Sequence, residues 1–388
     1  MNIKKRLDQL KKKYNGTPFS PILNAFHTFL FIPKHTTHTG SHIRDAADMK
    51  RTMITVVIAL IPCLFFGSYN TGYQHYSQIG GGTSLWNCFL FGMGKILPLI
   101  AVSYGVGLSI EFLFATIRKH EVNEGYLVTG LLIPLIIPAD IPLWMLASAV
   151  IFTVVISKEA FGGTGMNVLN PALVARAFLF FAYPKEISGD KVWVSGSDVD
   201  GISGESSIGF LANAKDQVEL AQQIVLHNIP ISVQDMFLGF IPGSFGETSV
   251  VAILLGAILL IFTGIGSWRI MLSALIGASV IGLLFNAWGA NALMAFPWWQ
   301  HLLVGGFAFG IVFMATDPVS AAQTETGKWI YGFFVGFFSI LIRIFNPAYP
   351  EGVMMAILLM NIFAPIIDHF VIQANINRRM KRLKNKNI

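Results

Sequence analysis

The sequence predicts an all-α polytopic membrane protein: about ten transmembrane helices in two inverted five-helix repeats, some broken or half-length. Its 388 residues are 54% apolar and only 12% charged, with a mean hydropathy of +0.61. A soluble globular domain carries roughly 25% charge. Long apolar runs recur along the whole chain, the pattern of repeated membrane crossings. A faint duplication supplies the repeat. Asn123-Glu124-Gly125 followed by Leu131-Leu132-Ile133-Pro134 echoes Pro350-Glu351-Gly352 followed by Leu358-Leu359 and Pro365, and Asn170-Pro171-Ala172 echoes Asn346-Pro347-Ala348. With five spans per half the copies would have opposite orientations, a common transporter plan.

Residues 1–52 read as a basic, amphipathic N-terminal segment, with no cleavable signal peptide expected, because the first apolar run starts only near Met53. The expected spans are 53–69, 96–117, 126–138, 143–157 and 171–183 in a first repeat covering 53–183. A loop follows at 184–248, then a second repeat covering 249–372 with spans 249–266, 270–288, 301–316, 329–345 and 353–372. A basic tail closes the chain at 373–388. Several spans fall short of the roughly 20 residues that a perpendicular helix needs. Those at 126–138 and 171–183 are flanked or broken by Gly and Pro, which is tolerated only where protein covers the backbone or it lines a cavity. A binding site within the membrane follows.

Charge sets the expected orientation. Lys4, Lys5, Arg6, Lys11, Lys12 and Lys13 crowd the start, and Arg378, Arg379, Lys381, Arg382, Lys384 and Lys386 crowd the tail. The loop between the repeats instead carries Glu186, Asp190, Asp198, Asp200, Glu205, Asp216, Glu219, Asp235 and Glu247 against three lysines. The positive-inside rule puts both termini in the cytoplasm and this loop outside. The +6 net charge therefore sits beside membrane spans, where it fixes topology and meets anionic lipid, and no nucleic-acid partner is expected. Cys63 and Cys88 are too few and too poorly spaced for an iron–sulfur or zinc site, and Cys63 reads as packing.

Four groups of residues bear on chemistry. Glu111, Asp317, Glu351 and Asp368 are acids in or beside apolar spans, where an ionised carboxylate costs roughly 2.5–3.5 kcal/mol. Each is either a rim or turn residue or a station for a hard cation, which wants oxygen ligands. Phe309 and Phe313, in a Gly-rich run, share one helical face and either pack against a neighbour or form a constriction that gates by dewetting. Asn167 and Asn170, at the end of a glycine-dense run from Phe161, either cap a helix or meet a planar heterocycle such as an isoalloxazine ring. Ser203-Gly204-Glu205-Ser206-Ser207 is a small, polar, Gly-containing turn in the outer loop, suited to covalent modification of a hydroxyl. No Walker, Rossmann, HExxH or triad pattern appears, so the chain is not expected to bind ATP or NADH itself.

Arg118-Lys119-His120-Glu121-Val122-Asn123-Glu124-Gly125, Phe161-Gly162-Gly163-Thr164-Gly165, Leu169-Asn170-Pro171-Ala172-Leu173, Phe180-Phe181-Ala182-Tyr183-Pro184, Met314-Ala315-Thr316-Asp317-Pro318-Val319-Ser320 and Asn346-Pro347-Ala348-Tyr349-Pro350-Glu351-Gly352 carry a resemblance. They resemble the B subunits of the bacterial Na+-translocating NADH:quinone oxidoreductases (Na+-NQR), and the likeness spans nearly the whole chain. The sister family, the D subunits of the Rnf ferredoxin:NAD oxidoreductases, shares the fold and is expected to lack the run from Arg118. The resemblance implies a multi-pass membrane component of the bacterial cell inner membrane, working with five other subunits. It also implies FMN joined through its phosphate to a threonine of a Ser-Gly-Ala-Thr motif by an outer-side flavin transferase. That motif is Ser203-Gly204-Glu205-Ser206 here, which places the phosphoester on Ser206. Serine replaces threonine, Glu205 puts a like charge beside the phosphate, and Ser207 is a competing acceptor.

Non-covalent riboflavin is implied at Asn167 and Asn170, and ubiquinone as substrate at Gly107, Leu108 and Glu111, where leucine stands in place of the family's second glycine. The implied sodium path comprises Phe309, Phe313, Asp317, Glu351 and Asp368. Electrons would then enter at the outer flavin, pass to riboflavin and reduce ubiquinone while Na+ is exported. Two rivals remain from the sequence: the Rnf-type counterpart, and a solute channel or transporter of inverted-repeat type.

Overall fold

The computed structural model describes residues 3–14, 49–79, 81–118, 125–187, 192–196, 205–213, 232–346 and 352–386, with isolated positions between 17 and 41. Every regular element among them is helical. The amphipathic α1 (Ile3–Lys13) precedes the apolar bundle. The first half comprises α2 (Met49–Ile79), α3 (Leu85–Arg118), α4 (Tyr126–Leu135), α5 (Leu143–Phe152) and α6 (Pro171–Ala182). The short α7 (Ser207–Asn213) lies in the connecting loop. The second half comprises α8 (Val250–Phe262), α9 (Trp268–Trp288), α10 (Phe307–Phe309), α11 (Glu325–Phe345) and α12 (Val353–Lys386). α5 runs on through a π-turn, Thr153–Lys158, and α10 through another, Gly310–Met314.

Among the described residues, six helical stretches are long and apolar enough to cross a membrane: Lys50–Ile79, Leu85–Arg118, Leu143–Phe161, Trp268–Trp288, Glu325–Phe345 and Val353–Leu383. Tyr126–Leu135, Pro171–Ala182 and Val250–Phe262 are shorter. The expected span at 301–316 is no continuous helix: a 3-10 turn and two left-handed glycines, Gly305 and Gly306, precede α10. Nine of the ten expected spans therefore have an apolar helical counterpart of at least ten residues, and three of these helices run well beyond expectation. α2 outruns the expected 53–69, because Asn70 and Gln74 are buried helical residues, with Asn70 Nδ2 donating to Ile241 O at 2.9 Å, and α3 starts at Leu85 instead of 96. α12 continues through the basic tail instead of ending at 372.

The two halves repeat one packing pattern. The second and fourth segments pack together in each half (α3 with α5, α9 with α11), as do the fourth and fifth (α5 with α6, α11 with α12). The third segment touches the first, second and fifth in both. Between halves like meets like: α2 packs on α8, and α6 on α12. The halves are also inverted. α4 starts beside the first turn of α2, whereas α10 starts at the opposite end, beside Ser206 and Glu247. Of the two sequence echoes, only that joining Asn170 to Asn346 fits, since those residues precede the fifth segments. The echo joining 123–125 to 350–352 pairs a third segment with a fifth, which an order-preserving duplication cannot produce.

Close approach through glycine holds the bundle together, as membrane helices require in the absence of a hydrophobic drive between them. A Cβ at Gly336 would collide with the Ala274 carbonyl, and one at Gly277 with that of Phe333, so α9 and α11 touch backbone to backbone. Lys50, Arg51, Arg118 and the tail arginines mark one end of the bundle, here the basic end. Ser195, Ser206 and Glu247 mark the acidic end. At the acidic end Asp140 accepts from Lys95 Nζ (2.6 Å), Ser195 Oγ (3.0 Å) and Gly196 N (3.2 Å), tying the loop to α3.

Candidate functional site

A cavity of about 780 Å³, including its open mouth, lies at the basic end between the halves. Three turns shape it. Gly162, Gly163 and Gly165 at φ +117°, +97° and +91° reverse the chain after α5, a conformation that non-glycine residues rarely adopt. The reversal sets Thr164 against Gly125 at the start of α4. Asn170 then caps α6, its Oδ1 accepting from Ala172 N at 3.0 Å, with Pro171 pre-set for the first helical position. Finally, Ala315 and Thr316 follow the π-turn of α10 and bring Asp317 to the cavity wall.

Asn167, Asn170, Lys158, Thr164, Thr316 and Asp317 supply polar groups to walls that are otherwise largely apolar, the make-up of a small-molecule site. Asn170 Nδ2 reaches Met314 O at 3.5 Å, and Asn167 Nδ2 donates to Leu169 O at 3.0 Å. Asn167 Oδ1 accepts no hydrogen bond among the described residues. The capping reading of Asn170 therefore holds, and it also leaves both amides at a cavity wall. Asp317 accepts from Ser320 Oγ at 2.6 Å and from Val319 N at 3.3 Å.

Lys158 links this cavity to Glu111. The π-turn ending α5 inserts an extra residue and turns Lys158 inward, as such turns do at functional sites. Lys158 and Glu111 form a hydrogen-bonded ion pair with side chains 5% and 4% exposed, and Lys158 Nζ stands 5.7 Å from the Tyr126 ring centre. Next door, Arg118 donates to Glu159 Oε2 (3.3 Å) and to Glu159 O (2.9 Å). Gly107 shares the face of Glu111 one turn earlier, and a Cβ there would collide with the Tyr126 ring, whose Oη donates to Ser103 O at 2.9 Å. Leu108 is partly buried against the core.

Phe313 lines the cavity floor, and its ring centre lies 5.0 Å from that of Phe309, one turn closer to the acidic end. Both are buried, and each packs on a glycine, Phe309 on Gly246 and Phe313 on Gly256. Gly246 precedes Glu247, which lines a second cavity of about 300 Å³ together with Ser206, Ser207, Thr248 and Gly305. The two rings thus stand between two cavities at opposite ends of the bundle, each with a few polar groups in its wall.

Ser206 is half-buried and starts α7, its Oγ accepting from Gly209 N at 3.2 Å. Ser207 is 2% exposed, so of the two hydroxyls Ser206 is the accessible one. The Glu205 side chain lies along Gly209. Asp368 stands apart: it accepts from Gln323 N (2.6 Å), Thr324 N (3.0 Å) and Thr324 Oγ1 (2.5 Å), capping α11 together with Thr324. Glu351, Ser203 and Gly204 lie outside the described residues.

The structure thus brings Asn167, Asn170, Phe313 and Asp317 to one cavity, connects Glu111 to it through Lys158, and leaves Asp368 outside its walls. The sequence reading passed over the buried cations Lys158, Arg176 and Arg343, which appear in the sequence as lone charges in apolar runs. It also passed over Glu247, counted as one acid among nine.

Residues 36–377 match the model of the NQR2, RnfD, RnfE family. The chain is 47% identical over 410 residues to the B subunit of the Na(+)-translocating NADH-quinone reductase of Chromohalobacter salexigens, covering 98% of this chain and 97% of that protein. It is 46% identical over 411 residues to the protein of the same name from Ectopseudomonas mendocina (98% of this chain, 100% of that one). Against that from Stutzerimonas stutzeri it is 48% identical over 388 residues, 93% of each chain.

Proposed function

Because the chain belongs to the NQR2, RnfD, RnfE family, we propose that it is the B subunit of a Na+-translocating NADH:quinone reductase, carrying FMN on Ser206 and riboflavin beside Asn167 and Asn170. The basic end would face the cytoplasm and the acidic end the outside of the bacterial inner membrane. Five partner subunits would bring electrons from NADH, and a flavin transferase would load Ser206. Bound flavins supply the electron carrying.

One observation carries the reading: the Phe309 and Phe313 rings lie between two cavities, each holding a carboxylate, in a scaffold of half-length and broken helices. That arrangement suits an ion path gated by dewetting. The residues also fit the groups they would hold. Ser206 presents a hydroxyl at the acidic end, and the buried Ser207 does not compete. The basic-end cavity has largely apolar walls with a few convergent polar groups, as small-molecule sites do, and Asn167 Oδ1 remains available to a donor on a heterocycle.

In this reading Lys158 holds positive charge at the cavity wall while Glu111 keeps it in place, and ubiquinone would bind near Gly107, Leu108 and Glu111. Negative charge delivered to so dry a site draws a cation, by about 4 kcal/mol at 4 Å for an effective dielectric constant of 20. Asp317 offers oxygen to that cation, and the two rings keep water from leaking past it.

In-gel flavin fluorescence of the denatured protein tests the attachment, in complexes matured with the transferase. The expected result is fluorescence in wild type and Ser207→Ala and none in Ser206→Ala. Fluorescence that survives Ser206→Ala would move the acceptor elsewhere. A dark wild-type band would remove covalent FMN from the account, leaving the solute-transporter reading.

A further inference from the structure

Ser206 shares its cavity with buried oxygens that take no part in the proposed phosphoester. Ser207, Glu247 and Thr248 line the smaller cavity and are 2%, 7% and 2% exposed. Ser207 Oγ, Glu247 Oε2 and Thr248 Oγ1 find no hydrogen-bond partner among the described residues, nor does Ser244 Oγ beside them. Buried polar atoms are nearly always partnered, so four orphans in one place point to a missing ligand.

The donor set limits what that ligand is. Hydroxyls and a carboxylate offer oxygen lone pairs to a hard cation. A further anion is disfavoured by the carboxylate and by the flavin phosphate proposed on Ser206 at the same cavity wall. Arg176 lies 3.8 Å from Glu247 Oε2, so the pair is close to neutral, and a divalent ion would leave a large uncompensated charge in a buried place. A monovalent cation leaves a small one, and sharing the carboxylate with Arg176 keeps binding weak enough for the ion to leave again.

The backbone is built for the contact. Ser244 N donates to Glu247 Oε1 at 3.1 Å and fixes the carboxylate. Gly305 and Gly306, both at φ +66°, carry the chain past it, and a Cβ at Gly306 would collide with Oε2.

We propose that Ser207, Glu247 and Thr248 form a station for a dehydrated monovalent cation, across the Phe309–Phe313 pair from Asp317. It rests on the sodium-path reading above and adds to it a second stop, on the exit side.

The test uses the whole complex in proteoliposomes. The Na+ concentration for half-maximal NADH-driven quinone reduction is measured in wild type, Glu247→Gln, Thr248→Val and Ser207→Ala, with equilibrium 22Na+ binding to the detergent-solubilised complexes alongside. Losing the charged ligand should raise half-saturation roughly tenfold, and losing either hydroxyl roughly threefold. The 22Na+ isotherms should weaken in the same order. Wild-type half-saturation and binding in Glu247→Gln and Thr248→Val would mean that water fills the cavity, and would overturn the station. Should Glu247→Gln fail to assemble, Thr248→Val and Ser207→Ala decide by the same criterion. A wild-type complex indifferent to Na+ would overturn the sodium-path reading itself, whereas a Na+-dependent wild type with unresponsive variants overturns the station alone.

Discussion

Replacing Lys158 with methionine should damage the protein more than replacing Lys158 and Glu111 together. The two side chains are 5% and 4% exposed and bonded to each other. Two charges removed from water in this way lose most of their solvation and recover it through their attraction. Lys158→Met keeps the volume but removes the ammonium from the Glu111 carboxylate, a loss of about 3–5 kcal/mol for a broken buried pair. Glu111→Gln strands the ammonium at a similar cost. The double variant Glu111→Gln/Lys158→Met buries no charge, and exchanging a buried pair for neutral groups of like volume is often close to neutral. The two losses should therefore fall short of additive by at least about 2 kcal/mol. Cys63 and Cys88 are free and buried, so their alkylation during a temperature ramp, followed peptide by peptide, reports opening of this chain within the complex. The expected order of midpoints is wild type, then the double variant, then both single variants well below. A double variant as unstable as the summed singles would show that the pair does not hold α3 to α5, and the argument for Lys158 as a fixed charge would go with it.

At the α9–α11 seam, Gly336→Ala drives a Cβ into the Ala274 carbonyl, and overpacking of this kind costs about 1–3 kcal/mol or more where the neighbour is backbone. The same alkylation ramp should show the lowered midpoint, whereas alanine at Gly94, where a Cβ meets nothing, should leave it alone. Phe313→Ala removes a buried ring from the partition between the cavities and should let 22Na+ leak through reconstituted complexes without NADH. Tight vesicles would deny the rings a gating role. Burial pushes the Asp140 carboxyl up, but Lys95, Ser195 and Gly196 more than offset this and hold it below the usual carboxylate range. The stability it contributes is thus present above its unfolded value and lost as pH falls through the lowered one. Proteolysis near Ser195 should then rise only in strong acid, and at neutral pH in Asp140→Asn.

The spans were legible because membrane burial writes itself in composition. Nine of the ten expected segments appear as helices of at least ten residues, and the half-length ones at 126–138 and 171–183 end within three residues of expectation. The repeat was legible as an idea and partly wrong in detail, since short motifs before helices recur for capping reasons as well as by descent. The end of α2 was missed because polar residues such as Asn70 look like loop until their partner, 171 residues away, is known. The same reason hid Lys158. An acid in an apolar run invited attention, but the cation it pairs with comes from another helix and depends on a π-turn that no local pattern announces. Asp368 shows the same limit: its carboxylate, read as an interfacial residue or an ion station, accepts hydrogen bonds at the start of α11 from residues some 45 positions earlier. The resemblance put the acceptor at Ser206 and left Ser207 as a competitor, and the burial of Ser207 favours the same choice.

The central claim is that electron delivery to quinone moves Na+ through this chain past Asp317, and the most direct test is NADH-driven 22Na+ uptake into inside-out vesicles carrying the complex. The account expects uptake in wild type that stops without quinone and falls steeply in Asp317→Asn. Brisk quinone reduction with no 22Na+ entering the vesicles would contradict it.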